Sequence, residues 1–135
     1  EIETLKTLVK SENINNVKFL GSKFGQEKLD LIQQMHTFVH TSRNEGLPAS
    51  ILESAFFGVP CVVSNETNFG EKITAHQAGI TLKENNSENL NEALQTLYTA
   101  WQNNSLNLYS ENAKKMISTD FTWNVLVEKF DALYK

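Results

Sequence analysis

Apolar residues recur along this chain at two alternating periods, and the alternation defines its elements. Over residues 2–10, Ile2, Leu5, Leu8 and Val9 share one helical face. The run VKFLG (17–21) is short, rich in strand formers and stopped by Gly21, which predicts a strand. Leu29, Ile32 and Met35 at helical spacing predict a helix over 26–35, and TFVHTS (37–42) predicts a second strand. A polar loop, RNEGL, follows. Pro48 then opens a helix to about residue 57, because the fixed φ of proline suits a first turn in which its missing N–H costs nothing. Gly58 is a favourable residue to end that helix. Residues 60–64 (PCVVS) predict a third strand, 70–77 a short helix and GITLKE (79–84) a fourth strand. Three amphipathic helices finish the chain: 89–102 with Leu90, Leu94, Leu97 and Trp101, 106–117 with Leu108, Ala113 and Met116, and 122–134 with Trp123, Val127 and Phe130. Both tryptophans fall on these apolar faces and are expected in the core.

Strands alternating with helices predict an α/β fold: a Rossmann-like parallel sheet flanked by helices. The 135 residues amount to about one domain. The formal net charge is -4, from 12 Lys+Arg against 16 Asp+Glu, with no basic run or stripe, so nucleic-acid binding has no electrostatic support. One cysteine, Cys61, precludes a disulfide within the chain, and a reducing, cytoplasmic setting is the expectation. No apolar stretch approaches the roughly 18–20 residues of a membrane-spanning helix. The first ten residues, EIETLKTLVK, lack a signal-peptide core and a start methionine. They read as the middle of a helix, and the chain is expected to be a fragment.

The chemistry concentrates in residues 41–64, TSRNEGLPASILESAFFGVPCVVS. A strand ends, a loop carries Glu45 and Gly46, and a helix begins at Pro48. In open α/β sheets, ligands lie beyond the carboxyl ends of the strands. The first N–H groups of a helix are unpaired and lie at the positive end of its dipole, where phosphate oxygens or sugar hydroxyls are natural partners. Gly46 lets the backbone approach a ligand closely. Glu45 stands at the rim of that site and Glu53 about one and a half turns into the helix. Each carboxylate can accept a pair of hydroxyl protons. Their separation argues against an acid–base dyad.

Glu45 and Glu53 are separated by seven residues, and EGLPASILE resembles the E-x7-E signature of the large family-4 retaining glycosyltransferases. Around it, VKFLG resembles the strand before the family's donor-base loop, FVHTSRNEGLP its strand-to-loop passage, GVPCVVS its Gly-x-Pro strand, and NFGEKI the later segment that here carries Gly70, Glu71 and Ile73. The resemblance runs in order through the whole chain. It implies the C-terminal, sugar-nucleotide-binding half of a GT-B enzyme, with residues 1–118 as a partial nucleotide-sugar-binding domain and 119–135 as a C-terminal crossover helix. It also implies a residue-by-residue assignment. Glu45 is the catalytic-site carboxylate, hydrogen-bonding hydroxyls of the transferred sugar. Gly46, Leu47, Pro48, Ala49 and Ser50 line the sugar and diphosphate. Glu53 binds the ribose, and Gly21 and Ser22 lie near the base. In such enzymes anomeric configuration is retained without a clear protein nucleophile, and the donor's leaving phosphate helps deprotonate the acceptor. Glu45 therefore positions and stabilises charge.

The implied substrates are a UDP- or GDP-linked sugar and a glycan or lipid-linked acceptor, with no metal and no cofactor. Two strands and a basic Arg/Lys pair that grip the diphosphate in the family precede the point where this sequence starts, as does the acceptor-binding domain. Membrane association is expected only through those parts. Without the basic pair, about two units of diphosphate charge meet only helix-terminal N–H groups, and donor affinity is expected to be poor. In the family's strand order, 17–20 and 37–41 are not neighbours. Either 17–20 pairs directly with 37–41, or a longer chain supplies the intervening strands.

The remaining polar residues have ordinary readings. Ser42 and Arg43 read as a loop hydroxyl and a surface cation, and Glu71 either caps the short helix or faces the sugar. His36, His40 and His76 have no metal-ligand spacing, and His40, on a strand, is expected to be packed rather than catalytic. Cys61 reads as a small core residue. Two other functions compete: a degenerate, non-catalytic glycosyltransferase-like subunit that binds a partner or glycan, and a sugar-nucleotide epimerase. The retained Glu45 and Glu53 disfavour the first and the E-x7-E context the second.

Overall fold

The computed structural model describes residues 1–46 and 48–133. Leu47, the side chain of Phe130 and the end of the last predicted helix at 134 lie outside the described residues. In chain order the elements are α1 (Ile2–Ser11), α2 (Gly25–Gln33), β1 (Phe38–His40), α3 (Ala49–Phe56), β2 (Cys61–Ser64), a 3-10 turn (Asn65–Thr67), α4 (Gly70–His76), β3 (Gly79–Leu82), α5 (Ser87–Gln102), α6 (Leu106–Asp120) and α7 (Trp123–Leu133).

The strands form a parallel sheet in the order β1-β2-β3, with Val39 opposite Val62 and Val62 opposite Ile80. Every residue of β2 is buried, so its apolar run faces helices on both sides. Side chains alternate across the sheet. Cys61 and Val63 join Ile51, Ala55, Phe69, Ile73, Ala113 and Met116 in a core shared with α3, α4 and α6. Val62 points the other way, into Leu82, Ala93, Leu97, Ala100 and Leu106 from β3, α5 and the start of α6. The parallel α/β layering expected from the alternating pattern is the observed one.

Local signals account for most boundaries. Gly58 takes φ +76° after α3; its N–H donates to the Ala55 carbonyl and that of Val59 to the Ser54 carbonyl, each at 2.9 Å. This closes the helix by a Schellman pair at a residue without a Cβ penalty. Pro48 precedes the helix as its N-cap, one residue outside the predicted first turn. The predicted start of α5 at 89 moves to Ser87, because the Asn86 side chain accepts from the Asn89 N–H at 2.8 Å and caps the helix earlier. Among the described residues no helix is long and apolar enough to cross a membrane.

Two expectations are corrected, and one apolar face is left open. VKFLG is not a strand: residues 17–20 have no ladder partner, and Val17, Phe19 and Leu20 are exposed. A strand exists only when a second backbone pairs with it, and none reaches this segment among the described residues. The amphipathic α1 buries none of its residues. Trp101 is 48 % and Trp123 82 % exposed, so neither is a core residue. Helical periodicity marks an apolar face, and only a packed neighbour buries it.

Two features of this packing give measurable outcomes. A Cβ at Gly79 would lie 1.9 Å from the Cys61 carbonyl oxygen and 2.7 Å from its nitrogen, both backbone atoms of the adjacent strand. Gly79→Ala should force β2 and β3 apart and cost about 3 kcal/mol or more in denaturant unfolding. At the end of α6, Asp120 accepts hydrogen bonds from Lys72 and Thr119, and His76 Nε2 is 3.3 Å away. The Lys72 ammonium is the largest influence, and together these partners hold the Asp120 carboxyl down at about 2 from its ordinary 3.8. A depressed carboxyl stabilises the fold above its unfolded pKa and loses that contribution as pH falls. Asp120→Asn should therefore cost about 1 kcal/mol near neutral pH. The difference from the unsubstituted chain should shrink between 3.8 and about 2, read by thermal melts across that range.

Candidate functional site

In a parallel sheet all carboxyl ends lie on one side, and here three loops leave that side together. The loop after β1 spans 41–46 and carries Glu45. The 3-10 turn and Asn68 follow β2, and Asn85 follows β3. Hydrogen bonds join all three. The Ser64 hydroxyl donates to the Ser42 carbonyl. The Asn85 side-chain amide donates to the Thr41 and Ser42 carbonyls at 3.2 and 3.3 Å. The Glu45 N–H donates to the Glu66 carbonyl at 3.3 Å, and the Asn68 side-chain amide donates to the Glu45 carbonyl at 2.8 Å. Asn68 itself takes φ +52°, a conformation asparagine tolerates better than most residues. The backbone of Glu45 is thus held on both sides, and its carboxylate, 37 % exposed, is left open to a ligand.

Beneath the carboxylate is His40, the last residue of β1. Its Nε2 is 3.6 Å from Glu45 Oε1, and its ring stacks on Phe38 with centroids 6.1 Å apart. His40 is half-buried, as its strand position implies, but it faces the candidate site as well as the core.

Glu53 lies in the second turn of α3, and its Oε1 accepts from Lys28 Nζ of α2 at 2.7 Å. Lys28 carried no signal in the sequence reading. It is one charge in a polar helical face, and only the tertiary fold brings it to Glu53, 25 positions away. Among the described residues no side chain caps α3, so there its first N–H groups have no side-chain partners. A Cβ at Gly46 would meet no protein atom within 4 Å, so packing does not require glycine there. Gly21 takes φ +68° in an irregular segment, with exposed Ser22 beside it. Leu47 lies outside the described residues.

Other groups are accounted for structurally. Cys61 is fully buried, and burial pushes its thiol up to about 12, which removes it as a nucleophile at neutral pH. The Ser42 hydroxyl turns back on Asn44 in a local turn. Glu71 is an exposed residue of the first turn of α4. The described residues hold no cluster of three metal-ligating side chains. Two cavities lie away from this loop. One of about 500 Å³ is lined by Thr74, Gly79, Thr81, Tyr109 and Asn112, and one of about 390 Å³ by His36, Leu97, Tyr98 and Trp101. Glu45 lines neither of them.

The sequence profile of the family described as Glycosyl transferases group 1 matches residues 1–116. The chain is 26 % identical over 136 residues to an uncharacterised glycosyltransferase of Methanocaldococcus jannaschii, covering all of this chain and 34 % of that protein. It is 29 % identical over 122 residues to the N,N'-diacetylbacillosaminyl-diphospho-undecaprenol alpha-1,3-N-acetylgalactosaminyltransferase of Campylobacter jejuni, covering 90 % of this chain and 31 % of that one. Among solved structures, WaaG, a glycosyltransferase involved in lipopolysaccharide biosynthesis, superposes with a TM-score of 0.79 at 19 % identity, over 98 % of this chain and 35 % of that structure. A glycosyltransferase from Rickettsia africae gives 0.76 at 17 % identity, over 99 % and 35 %. The chain spans about a third of the length of these relatives. At such identities the solved structures bear on fold alone, and the fold is that of part of a GT-B glycosyltransferase. With the profile spanning most of its length, the chain belongs to the group 1 glycosyl transferases.

Proposed function

We propose that this chain is the nucleotide-sugar-binding part of a retaining, family-4-type glycosyltransferase. It works in the cytoplasm and transfers a sugar from a UDP- or GDP-linked donor to a glycan or lipid-linked acceptor. The observation that carries the reading is the fixed Glu45 loop. Its backbone is tied to the turns after β2, its carboxylate is open, and it immediately precedes the uncapped start of α3. Loops beyond the carboxyl ends of parallel strands are where such folds take ligands.

In this reading Glu45 hydrogen-bonds hydroxyls of the transferred sugar. Gly46 and Leu47, with Pro48, Ala49 and Ser50 of the α3 start, offer backbone groups to the sugar and diphosphate. Glu53 accepts from the ribose hydroxyls. Lys28 bonds one of its oxygens, and a carboxylate has capacity beyond that single bond. Gly21 and Ser22 border the base. In the transfer, the bond from the anomeric carbon to the diphosphate oxygen breaks, and its electron pair leaves with the nucleoside diphosphate. The acceptor hydroxyl oxygen bonds to the same face of that carbon, and its proton passes to the departing phosphate. Glu45 holds the sugar and opposes the positive charge that develops on it. A lipid-linked acceptor is supported by the undecaprenol-linked substrate in the name of the Campylobacter relative. The protein requires no metal in this scheme.

The direct test is a titration with UDP-glucose, UDP-N-acetylglucosamine and GDP-mannose, followed by NMR at the amides of Glu45, Gly46 and Glu53. One donor should shift residues 45–53 and 21–25 together, and Glu53→Gln should weaken nucleoside diphosphate binding about tenfold, or ~1.4 kcal/mol. Silence from all three donors, in the chain and in a form extended to the length of its relatives, would overturn the proposal in favour of a non-catalytic subunit. The open space beside Gly46 gives a second outcome. Gly46→Ala should leave unfolding free energy within about 0.5 kcal/mol. It should nevertheless reduce donor affinity about tenfold, measured by calorimetry, because the added methyl occupies the approach to the backbone.

A further inference from the structure

His40 Nε2 is buried and has no hydrogen-bond partner within the described residues. Such atoms are uncommon, because an unmet buried donor or acceptor costs about 1–3 kcal/mol. The carboxylate of Glu45 faces it, with Oε1 at 3.6 Å, just beyond a hydrogen bond. Two constraints fix this pair in register. The ring stacks on Phe38 at 23° between planes, within a strand paired to β2 from Phe38 to His40. The Glu45 backbone is held by Glu66 and Asn68. The remaining gap can be closed by a side-chain rotation of Glu45, and hydrogen bonds at reaction centres are commonly long before substrate arrives.

We propose that His40 is a positioning residue for Glu45, its Nε2–H donating to one carboxylate oxygen when donor binds and leaving the other to the sugar hydroxyls. This rests on the reading above, in which Glu45 touches the transferred sugar. An imidazole with a proton on Nε2 donates to the carboxylate, which satisfies both partners. The arrangement is that of an orienting group behind a substrate-contacting one. Its value is geometric, since a carboxylate free to swing loses the alignment on which transfer depends.

The quantity to measure is the ratio of dissociation constants for a nucleoside diphosphate and its sugar conjugate, using UDP against UDP-glucose and UDP-N-acetylglucosamine, and GDP against GDP-mannose. This ratio isolates the sugar's contribution. A packing defect at His40 would weaken both ligands alike and leave the ratio unmoved. In the whole protein, His40→Leu should lower the ratio for the preferred donor about tenfold. It should lower it by less than about twofold further in a Glu45→Gln background, because the pair acts as a unit. His40→Gln, which also presents an N–H, should recover the ratio to within about threefold and serves if the leucine variant fails to fold. An equal loss in both backgrounds, an unchanged ratio in His40→Leu, or no recovery in His40→Gln would overturn the role of His40. If Glu45→Gln itself leaves the ratio unchanged, the reading of Glu45 as a sugar contact has failed, and that outcome is distinct from the others.

Discussion

The structure depends on one strand. Cys61–Ser64 is hydrogen-bonded to a parallel neighbour on each edge and covered by helices on each face. A backbone in that position has no access to water, so its polar groups must be met by β1 and β3 and its side chains by both helical layers. The closeness this demands is set at Gly79, where the neighbouring strand leaves no room for a Cβ. The two apolar clusters are then not independent cores. Val62 belongs to one and Cys61 and Val63 to the other, and a shift of the strand by one residue would exchange them.

The candidate site follows from the same constraint. Parallel pairing brings three carboxyl ends to one edge, and the loops that leave them are short enough to bond to one another. Glu45 is fixed less by its own loop than by Glu66, Asn68 and the Ser42 ties to Ser64 and Asn85. Its precision is borrowed from β2, through residues outside the E-x7-E stretch. The same holds for Glu53, which meets Lys28 across the boundary between α2 and α3.

The exposed apolar faces follow a different logic. α1 has a clear amphipathic pattern and buries nothing, and Trp123 is almost fully exposed on α7. The segment 17–20 has strand-forming residues and no strand. In each case the pattern states a capacity, and burial or pairing needs a second surface that the described residues do not bring to it. The chain spans about a third of the length of the relatives it matches.

The sequence by itself determined the alternation of strands and helices, the α/β class, the Gly58 stop of α3 and the chain positions of Glu45 and Glu53. These are local matters, decided by side-chain period, by glycine and proline conformations and by the order of residues along the backbone. It did not determine that 17–21 stays unpaired, that both tryptophans are exposed, that Lys28 holds Glu53, or that His40 lies beneath Glu45 with its Nε2 unmet. Those depend on which surfaces meet. Contacts between residues far apart in the chain are chosen by packing and by the satisfaction of buried polar groups, and no single segment carries that information.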